Sequence, residues 1–153
     1  MYWLLDFESY KTGIGDYVVK EISILANDGT QCYTYMVKSP KNYQFAANDK
    51  TIIYQYNRHR IPWNYGDYTF KEAIDDIWSK VGRNTVYVKG LEKQKFLESY
   101  LVHVYDLDFI PSIRKLNSCL GNCCEIKHGK QCARRKVYEL KTYIDNNKVL
   151  LSG

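Results

Sequence analysis

Residues 2–37 read YWLLDFESYKTGIGDYVVKEISILANDGTQCYTYMV, and this stretch decides the fold. Its first part, Tyr2 to Glu8, is a short apolar run that ends in acids, the pattern of a buried central strand delivering side chains to one edge of a sheet. Lys11 to Asp16, with Gly13 and Gly15, has the composition of a turn, and Tyr17 to Leu25 reads as a second strand. Asn27-Asp28-Gly29 marks a tight hairpin, and Gln31 to Val37 alternates aromatic and polar residues as a third strand before Ser39-Pro40 stops it. The chain therefore opens as a three-strand antiparallel meander. Asp6 and Glu8 are two residues apart, so on a strand they share one face, where two carboxylates can hold magnesium or manganese for phosphoryl chemistry. Glu21 falls among apolar neighbours inside the second strand, where a lone carboxylate is costly, so it needs water, a basic partner or a metal.

Downstream the period changes. Asn48 to Arg60 suits a helix ending before Pro62, and Thr69-Phe-Lys-Glu72 is a capping box opening a helix through Ile74, Ile77, Trp78 and Val81, closed by Gly82. Thr85 to Val88 is a short strand, Leu91 to Tyr100 a helix, Val102 to Tyr105 a buried strand followed by Asp106, and Ala133 to Tyr143 a last helix. Three hairpin strands followed by alternating helix and strand predict a mixed α/β sheet with flanking helices.

A chain of 153 residues with 45% hydrophobic and 25% charged residues is expected to form one domain over residues 1–153. No apolar run reaches the length of a membrane span, and MYWLLDFE lacks the basic leader of a signal peptide. Five cysteines without an export signal point to a reducing compartment, cytoplasm or nucleus. The net charge of +5 is uneven: Pro111 to Gly153 holds nine Lys or Arg against three Asp or Glu. That segment suits a polyanion, with Arg134, Arg135, Lys136 and Lys141 as phosphate contacts and exposed tyrosines as stacking faces for RNA or single-stranded nucleic acid. The competing reading is the solvated outer face of a terminal helix. His59 and His103 stand alone and read as structural histidines.

The same segment gathers four of the five cysteines, CLGNCCEIKHGKQCARRKVY from Cys119 to Tyr138. Three residues separate Cys119 from Cys123, Cys124 from His128, and His128 from Cys132, a density of thiolates and imidazole that suits tetrahedral zinc. A closed four-ligand zinc is structural, because no position remains for water. The alternative is a set of reduced, buried thiols.

The element order and the D-x-E strand YWLLDFES together resemble the ribonuclease H-like fold of the DEDD exonuclease superfamily. YVVKEISILANDGTQCYTYMVKSP is similar to that family's second and third strands. The resemblance implies a metal-dependent 3'-5' exonuclease or ribonuclease with Asp6 and Glu8 as its first motif. The family's second acid normally opens the helix after the fourth strand; here, in GLEKQKFL, Lys93 stands at that place beside Glu92. The third motif would fall within QCARRKV, where Gln131 and Lys136 replace the acid-base residue and the metal-binding aspartate. An incomplete, degenerate site is implied, which Asp106 or Glu92 would have to complete in an active nuclease. A closer likeness is to the divergent Maelstrom domain of the small-RNA silencing pathway, whose members carry a Glu, Cys, His, Cys zinc quartet in place of the exonuclease acids. That likeness implies Glu21, Cys124, His128 and Cys132 as ligands. The match departs in its three-residue Cys-to-His gap and in keeping Asp6 and Glu8. An all-local set of Cys119, Cys123 or Cys124, His128 and Cys132 competes with it, as does a protein-interaction adaptor with the role of nucleic-acid binder.

Overall fold

The structure, a computed structural model, describes residues 1–13, 16–40, 56–115 and 132–152. Five strands form one mixed sheet: β1 (Tyr2–Gly13), β2 (Asp16–Ala26), β3 (Cys32–Met36), β4 (Thr85–Val88) and β5 (His103–Asp106). Their order across the sheet is β3-β2-β1-β4-β5, with β1–β2 and β2–β3 antiparallel and β1–β4 and β4–β5 parallel. The helices are α1 (Phe70–Val81), α2 (Leu91–Leu97), the single turn α3 (Pro111–Arg114) and α4 (Ala133–Asn146), with a 3-10 turn over Leu107–Phe109. The expected mixed α/β sheet with flanking helices is what the chain forms, and none of the described helices is long and apolar enough to cross a membrane.

Strand alternation divides the core. Trp3, Leu5 and Phe7 of β1, Ile22 and Ile24 of β2, and Val86 and Val88 of β4 face α1, which contributes Ala73, Ile74, Ile77 and Val81. The opposite face carries Leu4, Leu25 and Tyr87 against Val137, Leu140 and Ile144 of α4. Those three α4 residues recur at helical spacing, so the basic side chains between them are left to the sides and outside of the helix. The Thr69–Glu72 capping box is present, with Thr69 Oγ1 accepting from the Glu72 amide at 3.1 Å and Glu72 accepting from the Thr69 amide at 3.0 Å.

Two sequence expectations need correction. The predicted turn over Lys11 to Asp16 is too long, because β1 runs to Gly13 and β2 starts at Asp16. The ribbon persists because Tyr17 stacks edge-on against Phe7 and Phe96, and Lys11 pairs with Glu92 of α2 at 2.6 Å. The helix predicted from Leu91 to Tyr100 ends at Leu97, and Leu101 turns inward to the core. Of the helix predicted over Asn48 to Arg60, residues 56–60 lie within the described part, and 56–59 of them are helical.

Lys20 is a residue whose charge alone would place it in solvent. Glu8 pairs with Glu21 while Ser9 pairs with Val19, so Lys20 is the extra residue of a β-bulge. It is fully buried, and its ammonium donates to the carbonyls of Trp63 at 2.8 Å and Tyr65 at 2.6 Å and to Ser39 Oγ at 3.0 Å. Burial pulls its pKa down to about 8. Replacing Lys20 with Met takes this donor from the Tyr65 carbonyl, while the Trp63 carbonyl keeps the Ser39 hydroxyl, and is expected to cost about 2 kcal/mol in urea denaturation. Wild-type stability should rise with pH from about 8 toward the ordinary lysine value, because over that window the unfolded chain binds the extra proton. That slope should be absent from Lys20→Met.

Candidate functional site

β1 outruns its parallel neighbour. Pairing with β4 ends at Leu4–Tyr87, so from Asp6 onward β1 has no β4 residue beside it. This crevice at the carboxyl end of the parallel strands is where open α/β sheets place their ligands. Here α2 fills it from within: Lys93, in its first turn, donates to Asp6 Oδ1 at 2.6 Å and to the Phe7 carbonyl at 2.8 Å, and its ammonium lies 4.8 Å from the centre of the Phe7 ring. Gly90 sets the start of α2 at φ 122, with its amide held by Asp106 Oδ1 at 2.8 Å.

From the other side α4 supplies Lys136, whose ammonium lies 2.7 Å from Glu8 Oε1 and 3.9 Å from Asp6 Oδ2. Asp6 is 1% exposed and Glu8 8%, so both carboxylates are shielded from bulk water. Burial alone would pull the Lys136 pKa down, but the charges of Asp6 and Glu8 and the Glu8 hydrogen bond outweigh it, and it stands above the ordinary lysine value. Asp6, Glu8, Lys93 and Lys136 alternate in sign, and the charge of Arg58 also reaches Lys136. Glu92 and Asp106, the candidates for completing a metal shell, are used elsewhere. Glu92 accepts from Lys11 at 2.6 Å and Tyr17 at 2.8 Å, and Asp106 accepts from the amides of Gly90 and Asp108, both at 2.8 Å.

Directly across from Glu8 on β2 stands Glu21, fully buried. Its Oε1 accepts the Ala133 amide at 2.7 Å, and its Oε2 lies 4.0 Å from Cys132 Sγ. Cys132 is the N-cap of α4 and offers no side-chain cap, so the Glu21 carboxylate satisfies an amide of the first turn and sits at the positive end of the helix dipole. The partner that Glu21 requires is therefore at least in part a helix terminus. Cys119, Cys123, Cys124, His128 and Gln131 lie outside the described residues. Among the described residues no group of three or more His, Cys, Asp or Glu is placed to hold a metal ion. For a magnesium or manganese pair the described donors do not fit: two carboxylates are present, and each is already neutralised by an ammonium. Of the donors expected for zinc, the described residues bring two together, Glu21 and Cys132, at 4.0 Å between carboxylate oxygen and thiol sulfur.

The basic residues of α4 differ in burial, and Arg134 interacts with Tyr138. Lys136 turns inward, and Lys141 is tied to the Asn27 carbonyl at 3.0 Å and Asp145 at 2.7 Å. Arg134 is exposed and Arg135 half-buried. His59 is buried, its Nδ1 accepting the Ile61 amide at 3.0 Å and its ring edge-on to Tyr10.

No protein-family model matches the sequence, and no curated protein matches it either. Among solved structures the fold is similar to Exonuclease X in complex with 5' overhanging duplex DNA, at 14% identity and a TM-score of 0.56, covering 99% of this chain and 95% of that one. The chain thus has an exonuclease-like fold of the ribonuclease H type.

Breaking the Lys93–Asp6 pair leaves a buried carboxylate without its main counter-charge. Lys93→Met is expected to cost about 3 kcal/mol in urea denaturation. Adding Asp6→Asn should restore most of that loss, a coupling that a double-mutant cycle reads directly.

Proposed function

We propose that this chain is a nucleic-acid-binding domain on an exonuclease-like fold, a degenerate exonuclease whose metal-binding acids are held by lysines. The observation that carries the reading is the pairing of Asp6 with Lys93 at 2.6 Å and of Glu8 with Lys136 at 2.7 Å. An ammonium neutralises a carboxylate but cannot lower the pKa of a bound water or bridge an attacking and a leaving oxygen. The ligand proposed is RNA or another single strand, with Arg134 and Arg135 on the outer side of α4 meeting phosphates. Lys141 and Lys136 would reach a phosphate only by giving up the partners they have.

Glu21 and Cys132, with Cys124 and His128, are the proposed zinc ligands, and Cys119 and Cys123 the alternates. What supports this set is the proximity of Glu21 to Cys132 across the first turn of α4. The metal would be structural, pinning the segment before α4 to β2, in the manner of the Maelstrom branch.

Purified chain should bind a single-stranded oligonucleotide without divalent metal. Arg134→Gln with Arg135→Gln should weaken that binding and flatten its salt dependence by about two units of slope, read by fluorescence anisotropy across a salt series. Metal-dependent cleavage that disappears in Asp6→Ala with Glu8→Ala would instead establish an active nuclease, and absence of any oligonucleotide binding would favour a protein adaptor. Elemental analysis should find one zinc per chain, lost in Glu21→Gln and Cys132→Ser and kept in Cys119→Ser. Loss in Cys119→Ser with retention in Glu21→Gln would transfer the site to the all-local set.

A further inference from the structure

Among the described residues α4 packs against β1 and β2, while His103 and Tyr105 of the edge strand β5 are exposed. These residues line a groove of about 740 Å³, within the range of small-ligand sites. Register sets its floor: Thr85 lies beside His103 and Tyr87 beside Tyr105, all four on one face. The Tyr87 and Tyr105 rings are 6.1 Å apart, and Tyr2 stands edge-on to Tyr87 at 5.4 Å, so an aromatic row crosses three strands. Tyr87 is anchored, donating its hydroxyl to the Ser152 carbonyl at 2.9 Å, and is 7% exposed. Tyr105 is 50% exposed, and Phe109, at the groove wall, 68%. Arg83, exposed at the β4 entrance, makes no ion pair among the described residues.

We propose that this groove is a subsite for one unpaired nucleotide of a single strand, with the base stacked on Tyr105 against Phe109 and the phosphate at Arg83. The choice of occupant follows from the lining. A groove for an apolar peptide segment is walled by aliphatic side chains, whereas the described lining here contains none. It offers aromatic faces, hydrogen-bonding groups and a guanidinium, the combination that unpaired bases and their phosphates require, together with the Asp106 carboxylate, which is held by the amides of Gly90 and Asp108. His103 and Thr85 line the floor where they meet base or sugar edges. The subsite is two strands away from Asp6, at the outer edge of the sheet, so a strand engaging it need not enter the lysine-filled crevice.

This proposal rests on the nucleic-acid reading above, and its test separates the two. A fluorescent oligouridylate is titrated into wild type, Tyr105→Ala with Phe109→Ala, Tyr105→Phe, and Arg134→Gln with Arg135→Gln. A 4-thiouridine version is photocrosslinked to the full chain and the adducts are mapped by mass spectrometry. Single-strand affinity should fall about tenfold in the Tyr105/Phe109 double variant and stay near wild type in Tyr105→Phe. Adducts should form at Tyr105 or Phe109. Both side chains are exposed, so their truncation should leave the circular dichroism spectrum and melting curve unchanged. Wild-type affinity in the double variant, with adducts confined to α4, overturns the subsite while the nucleic-acid reading stands, and leaves the groove to a protein partner. A wild-type chain that binds no oligonucleotide overturns both.

Discussion

Two buried carboxylates on the middle strand are the constraint around which this molecule is arranged. Asp6 and Glu8 lie on the central β1 with α4 packed over the same face, where charge is tolerated only if it is matched. The matching groups arrive from two distant parts of the chain. Lys93 comes through the gap left where β4 stops, and Lys136 comes down from α4. Each lysine therefore does two things at once, neutralising an acid and setting the approach of its helix to the sheet. The charge of Glu21 is handled on the same principle by a helix terminus. Among the described residues the three acids on one face are met by two ammonium groups and one dipole, and α4 reaches all three.

That arrangement sits on a fold similar to that of a solved exonuclease. The crevice at the carboxyl ends of the parallel strands is a product of topology, and it is present here as the strand order requires. What occupies it is a matter of a few side chains, and fold alone does not settle function. The aromatic row on β1, β4 and β5 belongs to a different part of the sheet and owes nothing to those acids.

Much of the architecture was legible. The acid-ended run of β1, the Asn27-Asp28-Gly29 hairpin and the Thr69–Glu72 box each carry a local chemical reason for the structure they adopt. Lys93 and Lys136 could be marked as occupying places where acids were expected. Their bonds to Asp6 and Glu8 could not, because these span 87 and 128 residues of chain and depend on how far α2 and α4 slide along the sheet. Glu21 announced its need for a partner, but a backbone amide leaves no mark in a sequence. Lys20 was hidden by its charge, because the carbonyls of Trp63 and Tyr65 that hold it come from a distant part of the chain. The groove was illegible for a similar reason: Tyr87 and Tyr105 become neighbours only through parallel register.

The lysine pairs also couple two positions that are far apart in sequence. Changing either one alone to aspartate would set three carboxylates against a single ammonium in a shielded crevice, and the domain would lose stability without acquiring a complete cation site. Only a simultaneous change at both positions would keep the acids together for a divalent ion to balance. Electrostatics thus ties the two positions together: with either lysine in place, exchanging the other for aspartate unbalances the crevice.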